Sequence, residues 1–313
     1  MNKSLKRGIV LVCCIFLLQK GIDAQDQLNI LFGEISPKDF DVTGQKFDSG
    51  ANALIIADIG NTTFEVLKGG GRPTMVFTRF IRAKILNKNG FDVADFSIPL
   101  LRDGLGGEEA ISEIKASTFN LDMGVVLETK LDKQSVFSEK LGKYINMKKF
   151  TLPSLHAGSI FDVIYTVRSD FYGNIRPWHF QGKYPCLWSE YDVAIPQQFH
   201  YLERLQGDQH YDINTLNTDY NTFVFSQTGK GKRNDLYSLA GGSIQERMVK
   251  KNVPALKNEP FVNRVENYQT GVSYNLQSIR WGEIHEIVQN VDTWPSACEK
   301  LMKREDFELE LDR

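Results

Sequence analysis

Cysteine and histidine are scarce in this chain, four and five residues out of 313. No cysteine pair carries the spacing of a structural zinc site. Glu283-Ile284-His285-Glu286 lacks the second histidine that a helical zinc-protease motif needs. Charge of one sign is missing too: 37 Lys+Arg stand against 39 Asp+Glu, a formal net charge of −2. Nothing in that balance draws the chain to nucleic acid or to an anionic membrane surface. No apolar run reaches 18 residues, so no transmembrane anchor is expected. Internal repeats and low-complexity stretches are absent as well. What remains is 42% hydrophobic and 24% charged, a composition that folds.

The N-terminus reads as a signal peptide over residues 1–24. Lys3, Lys6 and Arg7 form a positive start, and IVLVCCIFLL (9–18) is too short to span a bilayer comfortably. Cleavage is expected after Ala24, which places the mature chain in an exported, periplasmic, cell-surface or secreted setting. Lipidation is rejected, because Cys13 and Cys14 lie inside the apolar run and Val12 is too large for the position before a lipidated cysteine. Removing Lys3, Lys6, Arg7, Lys20 and Asp23 leaves a mature charge of −5. Cys186 and Cys298 then remain, and the oxidising compartment leaves their pairing open.

From Ala51 onward the grammar is strand and turn. ALIIADI (53–59) and TTFEVLK (62–68) read as two strands joined at Gly60-Asn61. In TMVFTRFIRAKIL (74–86), Met75, Phe77, Ile81, Ala83 and Ile85 make a period-two apolar face. Arg79 interrupts that face, and a bulge there is expected in preference to a buried functional arginine. Residues 113–131 read as a hairpin around DMG, and GSIFDVIYTVRS (158–169) is the clearest strand. LWSEYDVAIP (187–196) and TGVSYNLQSIRW (270–281) add one strand each, and 210–227 adds two. Helices are expected after Gly242 and in DTWPSACEKLMKRED near the end. The fold class is therefore all-β: a large antiparallel β-sandwich with one or two short helices, the last at the C-terminus. Residues 25–250 are assigned to the sandwich, and 251–313 to an extension whose strand and helix pack on it.

Chemistry-bearing candidates are few. On an extended chain Asp208, His210 and Asp212 share one face, which makes them the candidate metal ligands, with a solvated loop as the bland alternative. Trp178, Phe180, Tyr184, Trp188 and Tyr191 cluster within 14 residues. Core packing is the first reading of that cluster; Trp178, Trp188 and Tyr191 are the candidates for a glycan or peptide platform. Cys186 begins a strand, where nothing lowers its pKa, and Cys298 falls near a helix start; burial or a disulfide is expected of both. Lys130, Lys133, Lys140, Lys143, Lys148 and Lys149, diluted by Asp132 and Glu139, read as a solvated face. No catalytic residue and no cofactor is assigned.

Several segments occur in a telling order: ADIGNTTFEV, RFIRAKILNKNGFDVADFSIPL, LDKQSVFSEKL, HAGSIFDVIYTVRSDF and PWHFQGKYPCLWSEYDVAIPQQF. Together they resemble a bacterial domain of unknown function found N-terminal to the transglutaminase-like core of secreted proteins. The resemblance covers about residues 40–250 and continues weakly through VPALKNEPFV to the TWPSACEKLMKREDF segment. It implies a β-sandwich module without catalytic residues of its own, placed before a papain-like Cys-His-Asp core. The sequence stops at Arg313, where that core would begin, so no catalytic residue is carried over. The expected function is a non-catalytic exported module for binding or scaffolding, with a peptide, glycan or protein as partner. The rival is a divergent thiol-dependent peptidase or transglutaminase relative.

Overall fold

A computed structural model describes residues 28–42, 48–65, 73–105, 107–228, 236–257, 260–281 and 284–287, with Pro295, Cys298, Glu299 and Met302. Residues 1–24, where a signal peptide is expected, lie outside these, as does most of the C-terminal segment; its four described positions have helical backbone. The chain divides into two compact units, Met1–Glu34 and Ile35–Arg313. In the first, a turn closes Leu31 to Glu34, with Gly33 at φ 83. Everything below concerns the second.

Among the described residues fifteen strands follow one another: β1 (Ala53–Glu65), β2 (Thr74–Ile85), β3 (Asp95–Leu101), β4 (Ala110–Asp122), β5 (Val125–Lys130), β6 (Phe137–Lys140), β7 (Ile145–Thr151), β8 (Ile160–Ser169), β9 (Asn174–His179), β10 (Cys186–Pro196), β11 (Phe199–Gln206), β12 (Ile213–Thr228), β13 (Leu236–Val253), β14 (Gly271–Trp281) and β15 (Ile284–Ile287). They build three sheets. The largest has the order β12-β13-β10-β1-β2-β8-β4-β5. In the second, β14 pairs with β11 on one side and with β9 and β15 on the other; the third is β3-β7-β6. The all-β sandwich expectation holds. One pairing departs from the antiparallel rule: β1 and β10 run parallel at the centre of the large sheet.

The core lies on one face of the large sheet. Phe77 and Ile81 of β2, Phe161 and Val163 of β8, and Tyr191 and Met248 of β10 and β13 meet side chains of both smaller sheets, among them Phe150, Trp178 and Tyr274. Alternation carries this: in β8 the side chains of Phe161, Val163, Tyr165 and Val167 all fall inward. On the opposite face, Arg82 of β2 forms a bidentate ion pair with Asp162 of β8 at 2.7 Å, the two side chains 6% and 0% exposed. Lys84 on the same face donates to the carbonyls of Phe40 and Val42, so the segment before β1 covers part of it.

Four local expectations fail for identifiable reasons. Gly60-Asn61 is no turn, because β1 runs through it as a single 13-residue strand. Gly60 faces the Trp178 indole, and a Cβ there would lie 2.4 Å from a ring carbon; the glycine makes room for a neighbour instead of a bend. Arg79 forms no bulge. It pairs in register with Gly60 and Tyr165 on the apolar face. That position is tolerated because Asp58 takes the guanidinium at 2.8 and 2.7 Å and the Trp178 ring lies 5.2 Å from it. The helix expected after Gly242 is β13, an 18-residue strand held between β10 and β12. Residues 213–228 form one strand with a register shift between Asp219 and Phe223, not two. Since β13 continues to Val253 and β14 is a middle strand of the second sheet, the expected boundary at 250 does not separate an extension from the sandwich.

Candidate functional site

The three candidate ligands come together, though not as a metal site. Residues 208–212 connect β11 to β12 and are not extended strand. Gly207 enters this connection at φ 72, against Thr270, where only glycine avoids both strain and collision. The Asp208 amide donates to Thr270 Oγ1 (3.2 Å), and Asp208 Oδ1 accepts the His210 amide (3.1 Å). Asp212 is tied at both ends: its amide donates to the Val249 carbonyl (2.9 Å), and its carboxylate accepts the Lys251 amide (2.6 Å). Lys250, whose side chain is almost wholly buried, reaches Asp208 Oδ2 at 2.7 Å.

These groups line a cleft of about 420 Å³ whose wall also includes Tyr211, Asn252, Tyr268 and Thr270. The Lys250 ammonium lies 5.5 Å from the centre of the Tyr211 ring, which meets Phe180 edge-on at 5.3 Å. The hydrogen bond from Lys250 holds the Asp208 carboxyl below its ordinary pKa. Burial, with the charges of Glu203, Glu246 and Asp208, pushes the Tyr211 hydroxyl up to about 12. Both aspartates are thus engaged by protein donors. Among the described residues, no group of three or more His, Cys, Asp and Glu side chains is placed to hold a metal ion. The metal reading of Asp208, His210 and Asp212 is corrected accordingly: the chain turns where alternation of side chains was required.

The aromatic platform is also corrected. Trp178, Trp188 and Tyr191 are only 2%, 7% and 0% exposed. Trp178 stacks on Tyr191 at 5.3 Å with the planes 5° apart. Their polar atoms are used internally: Trp178 Nε1 donates to Ser189 Oγ, Trp188 Nε1 to Glu190 Oε2, and the Tyr191 hydroxyl bonds Thr62 Oγ1. Trp178 and Tyr191 hold the second sheet to the large one, whereas Trp188 lies outside that core with the Lys251 ammonium 4.9 Å from its ring centre. Of the rings that line the cleft, Tyr268 is the exposed one, at 65%, on a 3-10 turn (Val265–Tyr268). Gln206 fixes that turn by donating to the carbonyls of Glu266 and Gln269. No local sequence signal marks Tyr268, because strands far apart in sequence bring it to Lys250 and Asp208.

Of the described cysteines, neither Cys186 nor Cys298 is in a disulfide; Cys186 is buried as expected, whereas Cys298 is exposed, against the expectation of burial. Cys186 lines a pocket of about 270 Å³ together with Asp58, Arg79 and His179. Its thiol donates to the Trp188 carbonyl at 3.3 Å. Burial, followed by the Asp58 carboxylate, drives its pKa upward. Burial and the Arg79 charge push His179 down. A thiolate–imidazolium pair is disfavoured from both ends.

A third pocket, about 280 Å³, opens on the other face of the large sheet and includes Asp192 and Arg247. Arg247 Nε donates to Glu190 at 2.6 Å. Burial and the neighbouring Glu190 push the Asp192 carboxyl up to about 7, against the opposing pull of Arg247.

No protein-family profile matches this sequence, and no curated protein matches it either. Among solved structures, it is similar to a crystal structure from Parabacteroides distasonis described as "a putative protease", at 10% identity and a TM-score of 0.53. The match covers 82% of this chain and 45% of that one, so the chain spans less than half the length of the protein it matches. No described helix is long and apolar enough to cross a membrane. The likeness establishes a shared all-β fold.

Proposed function

We propose that this chain is a non-catalytic, exported binding module, related to the domain that precedes transglutaminase-like cores, and that its ligand enters the cleft between Lys250 and Tyr268. One observation carries the reading. The best-placed nucleophile, Cys186, is buried and hydrogen-bonded to a backbone carbonyl, whereas the cleft of about 420 Å³ is lined by groups suited to holding a ligand. The partial coverage of a longer solved protein agrees with a module that works beside other domains. Binding is the chemistry that such a cleft performs without a nucleophile. The test is to assay the protein on labelled casein and for amine incorporation, beside a Cys186→Ala variant. Equal background in both is expected, and turnover lost with the thiol would overturn the reading.

A second reading rests on Cys186, His179 and Asp58 lining one pocket. A thiol enzyme there requires the imidazole to move within hydrogen-bond reach of the sulfur and the thiol pKa to fall. Fast alkylation of Cys186 in the native protein would favour it.

A further inference from the structure

We propose that the cleft beside Tyr268 takes a neutral saccharide, stacked on the Tyr268 ring and held by the polar side chains around it. This rests on the reading of the chain as a binding module and names its ligand class.

The first argument is charge. Asp208 and Lys250 neutralise one another at 2.7 Å, and the Asp212 carboxylate is committed to a backbone amide. A strongly charged ligand would compete for the Lys250–Asp208 bond, and an anion drawing Lys250 away or a cation taking Asp208 would disturb the one compensated charge that is buried, the Lys250 ammonium. The second is the variety of the lining: carboxylate, amide, imidazole, ammonium and hydroxyl groups stand around one cavity. A ligand dense in hydroxyls, each both donor and acceptor, can use such a mixture. The third is the tyrosine pair. Tyr211 is occupied by Phe180 and Lys250, but Tyr268 is 65% exposed on a turn anchored by Gln206. An exposed ring beside hydrogen-bonding groups suits the C–H face of a sugar.

A peptide strand fits less well. Strand addition needs free backbone groups, and here the Lys251 and Asp212 amides are already bonded to Asp212 and Val249. The rim residues Asp208, His210 and Asp212 are exposed and polar, which gives a peptide side chain no apolar socket there.

The experiment is calorimetric titration of the full chain with cellobiose, maltose, xylobiose, mannobiose and chitobiose, and separately with tetra-alanine. Tyr268→Ala, Tyr268→Phe and Cys186→Ala are run alongside. Tyr268 is exposed, so its variants should fold as the parent does. Binding of at least one disaccharide, weakened about tenfold or more by Tyr268→Ala and kept by Tyr268→Phe, is expected. Failure of all five disaccharides, or binding indifferent to Tyr268→Ala, overturns the proposal. Tetra-alanine binding that depends on Tyr268, with no saccharide binding, overturns the saccharide class and leaves the module reading in place. Turnover dependent on Cys186 overturns the module reading while the titration still decides the ligand.

Discussion

Gly60 of β1 and Trp178 of β9 meet across two sheets with no space between them: a Cβ on Gly60 would stand 2.4 Å from the indole. The same ring lies flat on Tyr191 and beside the Arg79 guanidinium, so one tryptophan joins three strands of the large sheet to the second sheet. Gly60→Ala must therefore displace the ring or bend β1. The expected loss is about 1–3 kcal/mol, typical of overpacking. Urea unfolding checks it, with Gly182→Ala as a control where a Cβ meets nothing within 4 Å.

Arg82 and Asp162 form a buried bidentate pair. Arg82→Met removes the guanidinium from a carboxylate that water does not reach, and the expected cost is about 3–5 kcal/mol. Replacing both, Arg82→Met with Asp162→Leu, should cost clearly less than either single change. A double-mutant cycle by denaturant unfolding measures the difference. Additive losses would show that the pair does not act as a unit.

Asp192 gives the protein a pH dependence of unusual sign for a carboxylate. Its folded pKa, about 7, is above the unfolded value near 3.9, so the native state holds the extra proton between these limits. The contribution is full below about pH 4, declines as pH rises toward 7 and is flat above. Glu190 and Arg247 are the charged groups that face it, Glu190 raising and Arg247 lowering the pKa. The stability difference between the parent and Asp192→Asn should fall across this window. Melting temperatures from pH 4 to 8 test it, and a difference independent of pH would refute the assignment.

The two cysteines should separate cleanly in labelling. Iodoacetamide is expected to modify exposed Cys298 in the native protein and to reach Cys186 only after denaturation. Peptide mass spectrometry reads each site. Equal rates at the two sites would mean that the pocket around Cys186 opens readily.

If the first 24 residues are a signal peptide, expression of the full chain in a bacterial host should yield an exported protein whose N-terminal sequence begins at Gln25. Recovery of the chain only inside the cell with Met1 intact would remove the export reading.

Where alternation alone decides the structure, the sequence was readable. The strand at 158–169 appears as β8, because its apolar face is buried on one side of the sheet; the hairpin at 113–131 appears as β4 with β5, where Met123 and Gly124 take the positive φ of a tight turn although β5 buries no face. Legibility failed where a distant partner changes the meaning of a residue. Gly60 has the look of a turn until Trp178 is set against it, and Arg79 breaks a pattern until Asp58 and the same indole are added. Gly241 and Gly242 weaken a helix but fit a strand paired on both sides. For the cleft, Asp208, His210 and Asp212 were visible as a polar group. Lys250 and Tyr268 were not, since nothing in their own neighbourhoods points to residues 208–212.

The parallel pairing of β1 with β10 has a consequence for the order in which the chain can be completed. Ile55 finds its partner only at Cys186, so a growing chain carries the open flank of β1 through the whole synthesis of β2 to β9. Until β10 arrives, and β13 and β12 behind it, five strands stand with one raw edge at what will become the middle of the sheet. Such an edge recruits other chains, and long-range closure of this kind is slow. Fragments ending before residue 186 should therefore aggregate, whereas fragments reaching past Val253 can close the sheet.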